Sequence, residues 1–226
     1  MAVITISRQF GSGGDQIARL VCERLNYRYF DKRLMASVAA EIGLSEAELI
    51  DFSEDEYRMR SLLERLIGRS AARPVAEVRT WKEDLSGARQ PEVRLLDGAQ
   101  ANALVQATIL AVSKQGRVVI VGRGGQMALR SQAGVLHVRV EGPIDERARR
   151  VQEQSGVRLG EALELIFQRD SAARDYLRRF YKVEWNDPML YHLVINTGLL
   201  DLEPAAEMVA QLVTFMEKSL SSLSTV

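Results

Sequence analysis

The stretch Val3–Leu25, VITISRQFGSGGDQIARLVCERL, decides the fold. It opens with a β-branched apolar run, Val3–Ile6, and continues into Gly-Ser-Gly-Gly at Gly11–Gly14. Apolar residues then recur at helical spacing: Ile17, Ala18, Leu20, Val21 and Leu25. A strand, a glycine-rich turn and a helix are arranged as a phosphate cradle requires, because backbone N–H groups point into one concavity and the helix N-terminus adds positive charge. A tight turn without a ligand is the alternative.

The turn is close to a Walker A loop, in which a glycine and four residues precede Gly-Lys-Ser/Thr. When the motif is aligned on Gly13, Arg8 takes the first glycine position, Gly14 the lysine position and Asp15 the Ser/Thr position. Arg8 is the nearest cation that would do the work of the missing lysine, because arginine grips phosphate oxygens with a bidentate fork. The competing interpretation is that Arg8 pairs with Asp15 or Asp31 and only braces the loop.

The stretch ITISRQFGSGGDQIARLVCERLNYRYFDKRL, from Ile4, resembles the start of the cytidylate kinase-like family, a branch of the P-loop nucleotide kinases. Three later stretches also match: VVIVGRGGQMAL from Val118, QRDSAARDYLRRFY from Gln168 and NDPMLYHLVINT from Asn186. The resemblance implies an α/β, three-layer P-loop NTPase fold: a five-stranded parallel sheet flanked by helices, with a helical acceptor-side insertion and a lid. It also implies ATP and Mg²⁺ as cofactors and a nucleoside monophosphate, CMP or dCMP, as the acceptor.

Length and composition set limits on the function. The 226 residues fit one domain, residues 1–226, and a formal net charge of zero gives no global attraction for nucleic acid or acidic membranes. The lone cysteine, Cys22, excludes an intrachain disulfide and favours a reducing compartment. No targeting or membrane-spanning segment is expected. We therefore expect a cytoplasmic protein whose partners are small nucleotides, not nucleic acid or membranes; its oligomeric state stays open.

Polar residues follow two of the expected strands. Asp31 follows a short aromatic strand, and Arg123 follows Val118–Val121, an apolar run typical of a parallel strand buried on both faces. Such strand ends face the crevice where these sheets bind ligands. The resemblance places the acceptor here and makes Asp31, Arg33 and Arg123 acceptor-binding residues. Capping of a helix over 34–42 by Asp31 is a compatible role, and the alternative for Arg123 is a surface arginine on a turn.

Two charged regions correspond to the insertion and the lid. Residues from about 44 to 95 are weakly periodic; their cations would neutralise an incoming phosphate, but a solvated helical arm is favoured for most of them. These cations are Arg58, Arg60, Arg65, Arg69, Arg73, Arg79, Lys82, Arg89 and Arg94. Residues from about 157 to 185 correspond to the lid, and the alternative is an exposed helix with i,i+4 ion pairs. The predicted lid residues are Arg169, Asp170, Arg174 and Arg178.

The predicted function is ATP-dependent phosphorylation of a nucleoside monophosphate. The alternatives are a nucleotide-binding regulatory protein that lost catalysis and a kinase for a small non-nucleotide acceptor. The predicted catalytic cations are Arg8, Arg123, Arg174 and Arg178. The predicted phosphate-binding residues are Gly11, Ser12, Gly13, Gly14, Asp15 and Gln16, with Asp15 also the candidate metal contact.

Three further expectations concern single positions. The resemblance gives Arg147 a structural or nucleotide-contacting role. His137 is expected to be a strand histidine and not a proton carrier, because phosphoryl transfer to a phosphate needs little proton chemistry. Residues 219–226 are expected to form a disordered tail.

Overall fold

The computed structural model of the chain describes residues 2–31, 76–83, 89–96 and 98–223. The chain divides into two compact units, one formed by Met1–Asp31 with Ile109–Val226 and the other by Lys32–Thr108. The described strands are β1 (Val3–Arg8), β2 (Arg28–Phe30), β3 (Ala76–Glu83), β4 (Arg89–Leu96), β5 (Val118–Val121), β6 (Val135–Glu141) and β7 (Leu193–Asn196). The described helices are α1 (Gly14–Leu25), α2 (Gly98–Lys114), α3 (Gly125–Ala128), α4 (Ile144–Ser155), α5 (Leu159–Tyr181) and α6 (Leu202–Leu223).

Five strands of the first unit form one parallel sheet in the order β2-β5-β1-β6-β7, which confirms the predicted sheet. Strand β1 is central: Val3 pairs with Val118 of β5 on one side and with Val135 of β6 on the other. All its residues up to Ser7 are buried, as a strand covered on both faces requires. The glycine-rich loop therefore leaves the middle of the sheet, where open α/β sheets bind their ligands.

One face of this sheet carries the main apolar core. Ile4 and Ile6 of β1 pack with α1 and α6, whose buried positions Ile17, Val21 and Val209 recur at helical spacing. Asn26 ends α1 with a φ of 52°, a left-handed conformation that asparagine tolerates at a helix C-terminus. Because α1 packs against β1, the strand that precedes it, both ends of the intervening loop are fixed.

A hairpin replaces part of the helical arm that the sequence predicted, so the helical interpretation of the insertion is wrong for these residues. Strands β3 and β4 pair antiparallel, from Ala76 with Leu96 to Glu83 with Arg89. The sequence carries a hairpin pattern: strand-forming residues such as Val78 and Trp81 precede a short segment containing glycine. Charge density concealed this pattern.

Other predictions about the periphery have different outcomes. Helix α6 continues to Leu223, so residues 219–223, expected in a disordered tail, are helical. Arg33, the helix predicted over 34–42 and the cations from Arg58 to Arg73 lie outside the described residues. In the described parts of the chain, no helix combines the length and hydropathy needed to cross a bilayer.

Candidate functional site

The glycine-rich loop between β1 and α1 owes its shape to two glycines with left-handed backbone. Gly11 has a φ of 77° and Gly13, the residue before α1, a φ of 82°. A Cβ on Gly11 would lie 2.7 Å from the carbonyl oxygen of Arg147, and one on Gly13 would lie 2.6 Å from Cδ2 of Leu202. Conformation and space therefore both require glycine at these positions. The loop presents the N-terminus of α1, which favours an anion.

A buried ion pair holds the loop at Phe10. The Phe10 backbone N–H donates to Oδ1 of Asp170 at 2.9 Å, and Nε of Arg147 donates to the Phe10 carbonyl at 2.8 Å. Nη2 of Arg147 lies 2.5 Å from Oδ2 of Asp170, and the two residues are only 4% and 9% exposed. Breaking such a pair leaves an uncompensated buried charge, so this clamp is rigid. Arg147 and Asp170 thus support the loop, and the lid role of Asp170 stays a prediction.

Thr197, directly after β7, holds the loop at Ser12. Its hydroxyl lies 2.8 Å from the Ser12 carbonyl oxygen and 3.0 Å from the Glu141 carbonyl oxygen, and Nη1 of Arg150 donates to it at 3.1 Å. The Ser12 hydroxyl is buried and has no hydrogen-bond partner among the described residues. Buried polar atoms are almost always paired, so this unpaired hydroxyl is a feature that a polar ligand in the loop would satisfy.

Arg8, the last residue of β1, lies between the glycine-rich loop and the turn that follows β5. Its Nε donates to Oδ1 of Asp15 at 3.2 Å, in the first turn of α1. Its Nη1 would lie 2.7 Å from a Cβ placed on Gly122, after β5. The Tyr29 hydroxyl also donates to Asp15, at 3.5 Å, and burial and the Asp15 charge raise the pKa of Tyr29 to about 12. Arg8 thus forms the Asp15 pair that the bracing interpretation predicts, while its guanidinium lies beside the second glycine turn.

The turn after β5 contains three successive residues with left-handed backbone, one of which is not glycine. Gly122, Arg123 and Gly124 have successive φ angles of 76°, 55° and 67°. A left-handed conformation costs a non-glycine residue about 1–2 kcal/mol, and such strain clusters at functional sites. The Tyr176 hydroxyl donates to the Arg123 carbonyl at 3.5 Å, and a Cβ on Gly124 would lie 2.8 Å from the Tyr181 ring. Helix α5 therefore packs against the turn that carries Arg123.

Two of the predicted acceptor residues, Asp31 and Arg123, lie at neighbouring strand ends. Asp31 follows β2 and Arg123 follows β5, and these two strands pair in parallel from Arg28 with Val118 to Phe30 with Ile120. Strand β5 also pairs with β1, so its interpretation as a strand close to the loop is correct. The shared acceptor crevice of Asp31, Arg33 and Arg123 remains a prediction.

The predicted lid arginines have different partners along α5. Arg178 holds Glu184 through two contacts, Nε to Oε1 at 3.1 Å and Nη2 to Oε2 at 2.9 Å, and both side chains are more than half exposed. This pairing lowers the pKa of Glu184. Arg169 instead lies 5.6 Å from the centre of the Phe10 ring, beside the loop. Arg174, which lies between these two arginines in the sequence, is half-buried.

A helical pattern would have identified Asp170 as a structural residue. Ile166, Asp170, Ala173 and Leu177 follow one another at spacings of four, three and four and are all buried. An aspartate in an otherwise apolar stripe indicates a buried partner, since an unpaired buried charge is expensive. The identity of that partner, Arg147, depends on the packing of α4 against α5 and is not visible in the sequence.

Metal ligation by the protein alone has little support in the described residues. They contain no group of three or more His, Cys, Asp or Glu side chains that would hold an ion. Asp15 is the carboxylate at the loop, and it already accepts from Arg8 and Tyr29. Mg²⁺ in kinase sites takes one or two protein carboxylates and completes its shell with phosphates and water. A carboxylate at the loop is a donor that a nucleotide-bound Mg²⁺ would use.

A central strand that enters a glycine loop and a helix, in this parallel sheet, defines a P-loop NTPase-type fold. The sequence model of the cytidylate kinase-like family matches residues 3–199, and the chain belongs to that family. A cytidylate kinase of Aeropyrum pernix is 25% identical over 207 residues, which cover 91% of this chain and 95% of that protein. A cytidylate kinase of Ignicoccus hospitalis is 24% identical over 213 residues, which cover 94% of this chain and 99% of that protein.

Solved structures support the fold. An uncharacterized protein from Eubacterium ventriosum superposes with a TM-score of 0.61 at 19% identity, over 95% of this chain and 99% of the other. A gluconokinase from Sinorhizobium meliloti superposes with a TM-score of 0.54 at 11% identity, over 99% and 97%. The likeness confirms the P-loop kinase architecture and leaves the acceptor open.

Proposed function

We propose that the chain transfers the γ-phosphoryl group of ATP to a nucleoside monophosphate, CMP or dCMP. The observation that carries the proposal is the loop itself: left-handed Gly11 and Gly13, the α1 N-terminus, an unpaired buried Ser12 hydroxyl and the adjacent Arg8. The choice of acceptor rests on the cytidylate kinases that are similar over nearly the whole chain. The proposal includes a cytoplasmic location.

The reaction needs positioning and electrostatic stabilisation more than proton transfer. In the proposed complex the amides of Gly11–Gln16 hold the β-phosphate of ATP, and the Arg147–Asp170 clamp keeps that segment in shape. Arg8 supplies positive charge from the end of β1. Arg123, on its left-handed turn, binds the phosphate of the acceptor, and Asp31 and Arg33 are proposed as further acceptor-binding residues. When bound, Mg²⁺ would neutralise the β- and γ-phosphates, and Asp15 is the residue that would approach it.

The proposal also assigns roles to a lid and to an insertion. Arg169, Arg174 and Arg178 of α5 act as lid cations, for which Arg178 has to leave Glu184. An ion pair this exposed is stabilised little, so the exchange is inexpensive. The acceptor-binding insertion, about residues 44–95, falls within the unit Lys32–Thr108.

The experiment is an ADP-release assay with ATP, Mg²⁺ and each common nucleoside monophosphate in turn. We expect turnover with CMP or dCMP above the rate with AMP, GMP or UMP. Arg8→Ala and Arg123→Ala should each lower kcat/KM by about 10²–10³-fold, the effect of removing one transition-state donor. Arg8→Lys should keep part of the activity because it keeps the charge.

The matched control is Arg130→Ala, since Arg130 is an exposed arginine shortly after the Arg123 turn. It should leave kcat/KM unchanged, so that a fall caused by Arg123→Ala reports the position and not general charge. Absence of ADP release with every pyrimidine monophosphate would contradict the proposal.

The Arg8–Asp15 pair favours a second candidate, a regulatory protein that binds nucleotide without transferring phosphate. In that case Arg8 braces the loop and is not available to the γ-phosphate. The two candidates separate cleanly: the regulatory protein binds ATP in a titration but releases no ADP with any acceptor, and its Arg8→Ala variant loses stability without a catalytic change.

A further inference from the structure

Gly14, the residue in the lysine position of the loop, has no room for a side chain. A Cβ placed there would lie 2.5 Å from Cβ and 2.9 Å from Cγ of Arg8, and 3.3 Å from Cβ of Val140. Gly14 is not among the glycines with positive φ, so its backbone would suit any L-residue. The obstacle is therefore the stem of Arg8 and not the conformation of the loop.

The stem of Arg8 cannot move aside, because the end of β1 is fixed on both sides. Arg8 pairs with Val140 of β6, and the Gly122 N–H donates to the Ile6 carbonyl at 2.9 Å. A Cβ position follows the backbone, so residues 8 and 14 exclude each other's side chains. A Walker A loop has glycine at the first position and lysine at the second; this chain has the reverse arrangement in the same volume.

We propose that Arg8 and Gly14 are an exchanged pair, in which the loop's phosphate-binding cation is delivered by strand β1 instead of helix α1. The phosphate role of Arg8 rests on the proposed function; the mutual exclusion of the two side chains does not. Gly14 is a positioning residue here, since it acts by leaving its volume to Arg8.

Two other residues are adapted to the same arginine. Gly122 leaves space for the head of Arg8, because a Cβ there would lie 2.7 Å from Nη1. Asp15 receives Nε at 3.2 Å, which orients the guanidinium and neutralises a carboxylate that would otherwise repel an anion at the α1 N-terminus. Glycines at both ends of Arg8 and an acid beside it form a built setting for one side chain.

The first test isolates the mutual exclusion by thermal unfolding. Gly14→Ala should lower Tm by about 5 °C or more, as overpacking does in a chain of this length. In an Arg8→Gly background the same change should leave Tm unchanged or raise it, because alanine favours a helix over glycine. An equal loss of Tm in both backgrounds would overturn the exchanged pair.

The control is Gly160→Ala, which also changes a glycine near a helix start. Among the described residues, apart from its chain neighbours and its own helix backbone, no heavy atom lies within 4 Å of a Cβ placed there. It should not lower Tm in either background, and this separates the effect of contact with Arg8 from the general effect of replacing a helical glycine.

The second test measures ATP binding by calorimetry in the presence of Mg²⁺. Arg8→Gly should weaken binding by about tenfold to a hundredfold, the value of one charged hydrogen-bonding group. Arg8→Gly/Gly14→Lys should recover most of that loss, since it restores the glycine and the lysine of the Walker A motif at positions 8 and 14. A folded double variant that binds ATP no better than Arg8→Gly overturns the proposal.

Failure of the proposed function would give a different pattern. A wild-type chain that binds no ATP overturns that function and the phosphate role of Arg8. The Tm comparison of Gly14→Ala in the two backgrounds still tests whether residues 8 and 14 exclude each other's side chains. If the double variant does not fold, Arg8→Lys decides the charge instead: it should bind ATP more tightly than Arg8→Gly, and equal binding would overturn the role of Arg8.

Discussion

The two faces of the central sheet are built from the same strands in opposite ways. On one face, Ile4 and Ile6 of β1 lie in an apolar core with α1 and α6. On the other, the alternate residues Thr5 and Ser7 are polar and 1% and 5% exposed. Their partners in β6 are equally polar, since Thr5 pairs with His137 and Ser7 with Arg139. The first face is stabilised by the burial of apolar side chains. On the second face, each buried polar group needs a hydrogen-bond partner, because burial without one is unfavourable.

The polar face meets that requirement with a connected set of contacts. The Thr5 hydroxyl lies 2.8 Å from Nδ1 of His137, and the His137 ring stacks on His192 with centroids 5.0 Å apart. Ser7 accepts from the indole N–H of Trp185 at 2.9 Å. These contacts join the middle of the sheet to the segment that follows α5. The polar face therefore determines how α5, which clamps the glycine loop, returns to the sheet.

Arg139 is the centre of the polar face and the largest fully buried side chain there, at 1% exposure. It forms an ion pair with Glu141, and Nη2 donates to Oδ1 of Asn186 at 2.8 Å. Its guanidinium carbon also lies 4.4 Å from the centre of a Trp185 ring and 5.5 Å from that of Tyr191. An arginine is suited to this place because its planar group hydrogen-bonds at the edge and stacks on its faces.

The largest expected effect is the loss of Arg139. Arg139→Ala should lower the free energy of unfolding by about 3–5 kcal/mol, because it leaves a cavity beside Trp185 and removes the hydrogen bonds to Asn186 and Glu141. Ile4→Val, on the apolar face, should cost only about 1 kcal/mol because it removes one methyl group. Urea unfolding at neutral pH measures both. If Arg139→Ala lowers the free energy of unfolding no more than Ile4→Val does, the contacts of the polar face do not stabilise the fold as expected.

The second expected effect depends on pH, and only the polar face should show it. Burial first, and then the neighbouring His192, lower the pKa of His137 from 6.5 to about 4. The unfolded chain therefore takes up a proton at a higher pH than the folded chain does. The contribution is fully present above 6.5 and is lost as the pH falls from 6.5 to about 4. At about pH 5 the free energy of unfolding should have dropped by about 2 kcal/mol from this residue.

His137→Gln supplies the comparison for the acid effect, because glutamine keeps a polar side chain and does not titrate. The difference in unfolding free energy between about pH 7.5 and about pH 5 should be smaller in the variant than in the wild type. The same difference in both proteins would mean that His137 is not the group responsible for the acid sensitivity.

The fold was predictable where its pattern is local. The strand, glycine turn and helix of residues 3–25 are contiguous, and the run Val118–Val121 is apolar without interruption, so both elements follow from the sequence. The hairpin of β3 and β4 was missed because its cations outweighed a modest strand pattern. Helix and hairpin patterns compete for short charged segments, and only the strand partner decides between them.

The site was less predictable because its supports are distant in sequence. The glycines and Arg8 are local and were identified, but Asp170 contacts Phe10 across 160 residues and Thr197 contacts Ser12 across 185. Arg139 received no role at all, since an arginine in a strand usually indicates an exposed position. Its burial depends on aromatic residues that reach it only after α5 has turned back to the sheet.

The smallest expected effect concerns the hydrogen bond between Trp185 and Ser7. Trp185→Phe keeps an aromatic ring next to Arg139 but removes the indole N–H, and it should cost about 1 kcal/mol. Combined with Ser7→Ala, it should cost clearly less than the sum of the single changes, because each removes the same bond. Combined with Ile6→Val, one residue away on the apolar face, its cost should simply add. Additivity in both pairs would contradict the contact, and additivity in neither would show that the two faces are coupled through β1. Because Ser7 directly precedes Arg8, coupling confined to the polar face would connect the return of α5 to the strand end that carries the site's first cation.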